Sequence, residues 1–284
     1  MILALAAAIA TVAAAAATPT PVAEAPRARR VASVSAGIEE ALVGLSHGVV
    51  AFGELHQTNA TAGIPSALRR FTEDVLPGLS GRLAYLVVET WMTTGKCGEA
   101  ERAVTADVER TTQRPAHTET EIETLIRVAD ERGVVPRILS IACTDYQAML
   151  GAGGGGVDYD RTLKVTARAL ETAILRALAS ARAPAATRDG LVAVYGGALH
   201  NDANPDPELA AYSFARGAQA ATLGQYVEID LVVPEYAAGS AAVRAQSWWR
   251  SYLRQRRPGA TVLVQRAPRS FVVVFPAVSG KTKR

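Results

Sequence analysis

Two short motifs place reactive side chain types where a chain of this kind does chemistry. Gly53-Glu54-Leu55-His56 follows the apolar run 48–52, "GVVAF". Gly197-Ala198-Leu199-His200 closes the run "LVAVYGG" over 191–197. Each reads Gly-x-x-His, and each comes directly after a stretch built like a buried strand. Glu54 and His56 are alternate residues, so an extended backbone turns both side chains the same way. The run "LAYLVVE" ends in Glu89, and "RILSIAC" is followed by Asp145. Four strand ends thus offer Glu54, His56, Glu89, Asp145 and His200. Two imidazoles with two or three carboxylates can hold a divalent metal such as zinc or manganese. A metal there would acidify its water. Without one, a neutral histidine beside a glutamate serves as a general base. No Gly-x-Ser-x-Gly elbow is present, so serine hydrolase chemistry is not indicated. His47 precedes its strand, His117 lies in a polar loop, and Asn201 and Asp202 read as turn formers.

The elements around these residues alternate strand and helix. Ile64, Leu68, Phe71, Val75 and Leu79 recur at helical spacing, with Pro77-Gly78 marking the end. Thr118 and Glu121 form a capping-box pattern before a helix closed at Gly133. Strands are expected over 48–52, 83–89, 137–143, 191–197 and 226–233. A long helix carries Leu163 to Leu178, and Ser240 caps a helix containing Val243, Trp249 and Leu253. "TVLVQ" and "SFVVVF", on either side of Pro268, read as a hairpin. Alternating strands and helices imply parallel pairing with helical crossovers. The fold class is therefore α/β: a mostly parallel central sheet flanked by helices, with an antiparallel edge hairpin. In such sheets ligands bind beyond the carboxyl ends of the strands, where these residues fall.

Composition bounds the partners. The chain has 284 residues, 49% of them hydrophobic, enough for one sizeable core. The formal charge of +3 comes from its ends. Three basic residues lie within 1–30 and three within 281–284. Setting these and Glu24 aside takes 30 basic and 27 acidic side chains to 24 and 26. A nearly neutral body carries no nucleic-acid footprint. Residues 1–17 resemble a signal-peptide core, with Ala15-Ala16-Ala17 as a cleavage site. No cysteine stands there for lipidation. Residues 18–30 read as a Pro-rich linker, leaving 31–284 as a single domain with no stable membrane span after cleavage. "GAGGGG" (151–156) reads as a loop and, like the tail "SGKTKR", is not a phosphate loop.

The motifs "FGELH", "VVET" and "YGGALHND", in that order, resemble the superfamily that joins erythromycin esterases, Tiki-type metalloproteases and ChaN-like haem-uptake proteins. The resemblance covers about residues 48–202. It implies an α/β core with Glu54 and His56 in the first motif, Glu89 as the middle acid and His200 in the second motif. Catalytic roles fall to Glu54, His56, Glu89 and His200, with Asp145 joining them in a metal site. The implied function is an exported hydrolase of ester or peptide bonds acting on a small-molecule or peptide substrate. The alternative is a carrier of haem or a metal complex, with His56, His200 or Tyr146 as axial ligand. The signal segment predicts a periplasmic or secreted protein. Cys97 and Cys143 both fall near the carboxyl edge, so in an oxidising compartment they are expected to pair.

Overall fold

The computed structural model describes residues 25–151, 156–182 and 190–278. The signal segment, the "GAGGGG" loop beyond Gly151 and before Gly156, and the "SGKTKR" tail beyond Val278 lie outside the described residues.

Among the described residues, eight strands form one sheet: β1 (Arg27–Val31), β2 (Val49–Glu54), β3 (Leu83–Trp91), β4 (Val135–Leu139), β5 (Leu191–Gly197), β6 (Tyr226–Val232), β7 (Thr261–Ala267) and β8 (Ser270–Val274). Their order is β1-β7-β8-β6-β2-β5-β3-β4. Every pairing from β8 through β4 is parallel, and β1–β7 and β7–β8 are antiparallel. The sheet is thus mostly parallel, as its continuous apolar strands require. All residues of β2, β5 and β6 are buried, because helices cover both faces. One expectation is corrected. Residues 27–30 are not linker; Arg27–Val31 pairs with Thr261–Gln265 as the outer strand.

Among the described residues, eleven α-helices accompany the sheet: α1 (Val34–Ala41), α2 (Ala67–Arg70), α3 (Leu76–Leu79), α4 (Gly98–Thr112), α5 (Thr118–Glu131), α6 (Cys143–Met149), α7 (Tyr159–Ala181), α8 (Ala215–Ala221), α9 (Pro234–Gly239), α10 (Ala241–Ala245) and α11 (Ser247–Gln255). One core layer packs α1 to α3 and α5 on the sheet through Ile38, Phe71, Leu76 and Leu125. The other packs α7 and α8 on the opposite face through Leu170, Ile174 and Phe214.

Local sequence signals were overridden in five places. A π turn over Phe71–Val75 joins α2 to α3, and the helical path runs past Pro77 into a 3-10 turn at Ser80–Arg82. The wider turn accommodates a ring that would otherwise collide with the carbonyl four residues back. At α5 the expected capping box is absent; Glu121 instead accepts a hydrogen bond from Ser66 Oγ at 2.6 Å. The polar stretch after β3 folds as α4, with Val104 and Glu101 buried. The helix expected after Ser240 divides into α10, which Ser240 caps, and α11. Strand β4 ends at Leu139, and Cys143 opens α6 rather than closing a strand. Cys97 and Cys143 are nonetheless joined by a disulfide, with Cα atoms 5.0 Å apart.

Candidate active site

Strand order brings the two motifs together. β2 lies between β5 and β6, and Glu54 pairs in register with Gly197. His56 and His200 therefore leave adjacent strands at the same carboxyl edge. Glu89 arrives from β3, the other neighbour of β5. β3 is irregular between Val88 and Trp91 against β4, and this bulge lies at Glu89-Thr90. A bulge re-aims the side chains it carries. Here Glu89 Oε2 accepts the backbone N–H of Gly197 at 2.6 Å.

Two Glu–His pairs result. Glu54 Oε1 lies 2.7 Å from His56 Nδ1, and Tyr195 donates its hydroxyl to Glu54 Oε2 at 2.6 Å. Arg114 Nη2 lies 2.8 Å from His56 Nε2. A guanidinium only donates, so Nε2 carries the lone pair and Nδ1–H points to Glu54. In the second pair, His200 Nδ1 lies 2.7 Å from the Tyr212 carbonyl, which fixes a proton on Nδ1. Its Nε2 faces Glu89 Oε1 at 3.8 Å, too far for a hydrogen bond.

Both glutamates stay ionised. Burial pushes Glu54 up, but His56, Arg114 and the Tyr195 hydroxyl outweigh it and hold the carboxyl below its usual range. Burial likewise raises Glu89, and His200, His56, Arg114 and the Gly197 N–H bring it below that range. Tyr195 is displaced well upward by burial and by Glu54, so it remains a hydroxyl donor.

Glycine is required where these groups crowd the backbone. A Cβ on Gly196 would stand 2.4 Å from Glu89 Oε2, and one on Gly197 would stand 2.9 Å from His56 Nε2. A Cβ on Gly53 would stand 2.5 to 2.7 Å from Asp230 Oδ1 and the Asn201 amide. Asn201 does more than turn the chain: buried, it donates to the Ala51 carbonyl and to Asp230. Asp202 does act in a turn, accepting from the Asn204 N–H.

The structure unites Glu54, His56, Glu89 and His200 and leaves Asp145 apart. Asp145 rides on α6 and faces Arg168 at 3.7 Å. The chain turns into a helix at Cys143 and carries it away from the edge. Tyr146 is buried among Val104, Met149 and Val165. His47 touches Ser46 before β2 begins. His117 borders the site indirectly, through Gln57 Oε1 at 2.9 Å. Gln57 in turn donates to the carbonyls of Thr61 and Ile64. Arg114 and Tyr195 were not foreseen. Tyr195 carried a signal, since a tyrosine in a buried strand needs a partner for its hydroxyl. Arg114 carried none, standing 58 residues from His56 in a loop between helices.

A cavity of about 10 Å³, lined by Glu54, His56, Glu89, Arg114 and Tyr195, lies among these groups. That is room for about one water. Among the described residues, no three His, Cys, Asp or Glu side chains are placed to hold a metal ion. Arg114 is the physical obstacle, because its positive charge already occupies the lone pair of His56 Nε2. The arrangement as it stands does not fit a divalent metal.

No known family model matches the chain, and no curated protein matches it. Among solved structures, the type III effector HopBA1 is similar over 91% of this chain and 99% of its own, at 12% identity and a TM-score of 0.46. Among the described residues, no helix is long and apolar enough to cross a membrane.

Proposed function

We propose that the chain is a hydrolase of ester or peptide bonds that activates water with the Glu54–His56 pair. One observation carries this reading. His56 has its proton fixed on Nδ1 by Glu54, which leaves on Nε2 a lone pair that Arg114 caps beside a water-sized cavity. Tyr195 holds the second oxygen of Glu54, so the glutamate cannot swing away from the imidazole.

In the proposed reaction, substrate displaces Arg114 from His56 Nε2 and water takes its place. His56 accepts a proton from that water as its oxygen attacks the carbonyl carbon. The imidazolium is stabilised by ionised Glu54. The guanidinium of Arg114, freed from the imidazole, donates to the carbonyl oxygen as it gains charge. The His56 imidazolium then passes that proton to the leaving group as its bond to the carbonyl carbon breaks; His200, with Nδ1–H on the Tyr212 carbonyl and Nε2 facing Glu89, is a positioning residue. No step passes through a metal. This reading keeps the resemblance to the erythromycin esterase, Tiki and ChaN-like superfamily as part of the proposal. Export is part of it as well, supported by the Cys97–Cys143 disulfide, which persists in an oxidising compartment.

The test is a panel of aryl esters and short peptides assayed with wild type, His56→Ala and His200→Ala. Each variant should lose at least about a hundredfold in kcat/KM while melting near the wild-type temperature. EDTA should leave the wild-type rate unchanged. Full activity in His56→Ala would overturn the mechanism, and loss of activity in EDTA would overturn its metal-free form.

A further inference from the structure

A second cleft, about 800 Å³, lies away from the Glu/His rim, between α7 and β4. One wall is α7, presenting Arg168, Thr172 and Arg176. The other is the sheet's outer strand, presenting Arg137 and Ile138, with Asp145 at one end. Three guanidiniums therefore face one carboxylate. Arg168 stands 3.7 Å from Asp145, and Arg137 stacks 5.3 Å over the Tyr85 ring. Among the described residues, no carboxylate pairs with Arg137 or Arg176.

The spacing of the charges selects the shape of the ligand. Arg168 and Arg176 are eight helical residues apart, about 12 Å along the axis. They do not converge on one point, as a single phosphate would require. Residues i and i+4 of an extended chain are about 13 Å apart and point the same way. The opposite wall is an open sheet edge. Pro136 interrupts it, and proline is tolerated in a strand where its missing N–H faces away from the ladder. By alternation, the N–H and C=O of Ile138 then face the same open side. Two or so backbone bonds are within reach of a docked strand, so charge must supply most of the affinity.

We propose that the cleft between α7 and β4 docks an extended acidic peptide of a partner protein, with carboxylates four residues apart on Arg168 and Arg176. Arg137, whose side chain lies over Tyr85 on the α7 side of β4, takes the carboxylate between them. Strand addition at an exposed edge with charged side chains read by flanking arginines is an established recognition mode. The docked segment runs outside the Glu/His rim, so a bound partner leaves that site open.

Fluorescence anisotropy on the full chain tests this with a labelled seven-residue peptide, Glu-Thr-Glu-Thr-Glu-Thr-Glu. Saturable binding is expected, weakening as salt rises. Arg168→Glu/Arg176→Glu should bind at least tenfold more weakly, and Arg168→Gln/Arg176→Gln should fall between it and wild type. Both arginines are exposed, so the variants should keep the wild-type melting temperature. His56→Ala should bind like wild type, which separates this cleft from the proposed hydrolytic site. Absence of binding, equal binding by both double variants, or loss of binding in His56→Ala would overturn the proposal. So would complete displacement of the peptide by equimolar pyrophosphate or by a short single-stranded DNA, either of which would assign the cleft to another polyanion.

Discussion

Glu228 makes the pH dependence of stability a quantitative test of the buried polar cluster beneath the second motif. It is 1% exposed on β6, where it meets Arg266 and accepts the Ala203 N–H at 3.2 Å. Burial raises its pKa from 4.5 to about 7; Arg266 opposes the rise, and Asp230 adds to it. A carboxyl with a raised folded-state pKa binds its proton more tightly folded than unfolded. Its contribution is therefore fully present below about pH 4.5 and is lost as pH rises toward 7. At about 1.4 kcal/mol per unit, the loss is on the order of 3 kcal/mol. Asp230, also raised by burial, steepens the slope in the same direction. Glu54 and Glu89 shift downward, so their effect falls below this window. Urea unfolding from pH 4.5 to 8 should show wild-type stability declining with pH. Glu228→Gln removes the titrating group and should flatten that decline, even though its amide loses one of the two acceptor oxygens and costs about 1 kcal/mol throughout. A wild-type curve that rises over this range, or equal slopes in the two proteins, would refute the placement of Glu228.

Gly196→Ala should abolish the proposed hydrolysis, because its Cβ would strike Glu89 Oε2 at 2.4 Å and Glu89 Cβ at 2.8 Å. Overpacking of this kind costs about 1–3 kcal/mol, so unchanged rate and melting temperature together would contradict the geometry. Cys97→Ser opens a disulfide spanning 46 residues and should cost about 4 kcal/mol by loop-closure entropy. Chemical denaturation checks this, and wild type unfolded without reductant should show no titratable thiol.

The parts of the fold legible in sequence are those fixed by local repetition. β2 and β5 were readable because strands covered on both faces must be continuous apolar runs. Their carboxyl-end motifs were readable for a related reason, since polar residues following such runs stand out. The pairing of Glu54 with His56 followed from alternation alone. What failed was whatever depended on the chain's next turn. Asp145 was expected two residues past a strand ending at 143, yet β4 stops at Leu139 and α6, beginning at Cys143, carries Asp145 to Arg168. The bulge in β3 works in the opposite sense, keeping Glu89 at the rim. The disulfide was expected for proximity at the strand ends, yet its cysteines stand at the starts of α4 and α6.

Arg114 shows why a residue inventory alone misjudges such a site. Two imidazoles and two carboxylates suggest a metal centre by count. A guanidinium arriving from the loop between α4 and α5 reverses that suggestion, because it supplies positive charge beside His56 Nε2 where a cation would have to bind. The same charge helps keep Glu54 and Glu89 ionised, so both remain available to orient an imidazole. Such a group is invisible to strand periodicity, since its position depends on the packing of two helices rather than on the motif it completes. The rim thus joins six side chains: the four that the strand ends announce, Tyr195 holding Glu54, and the arginine that the loop delivers.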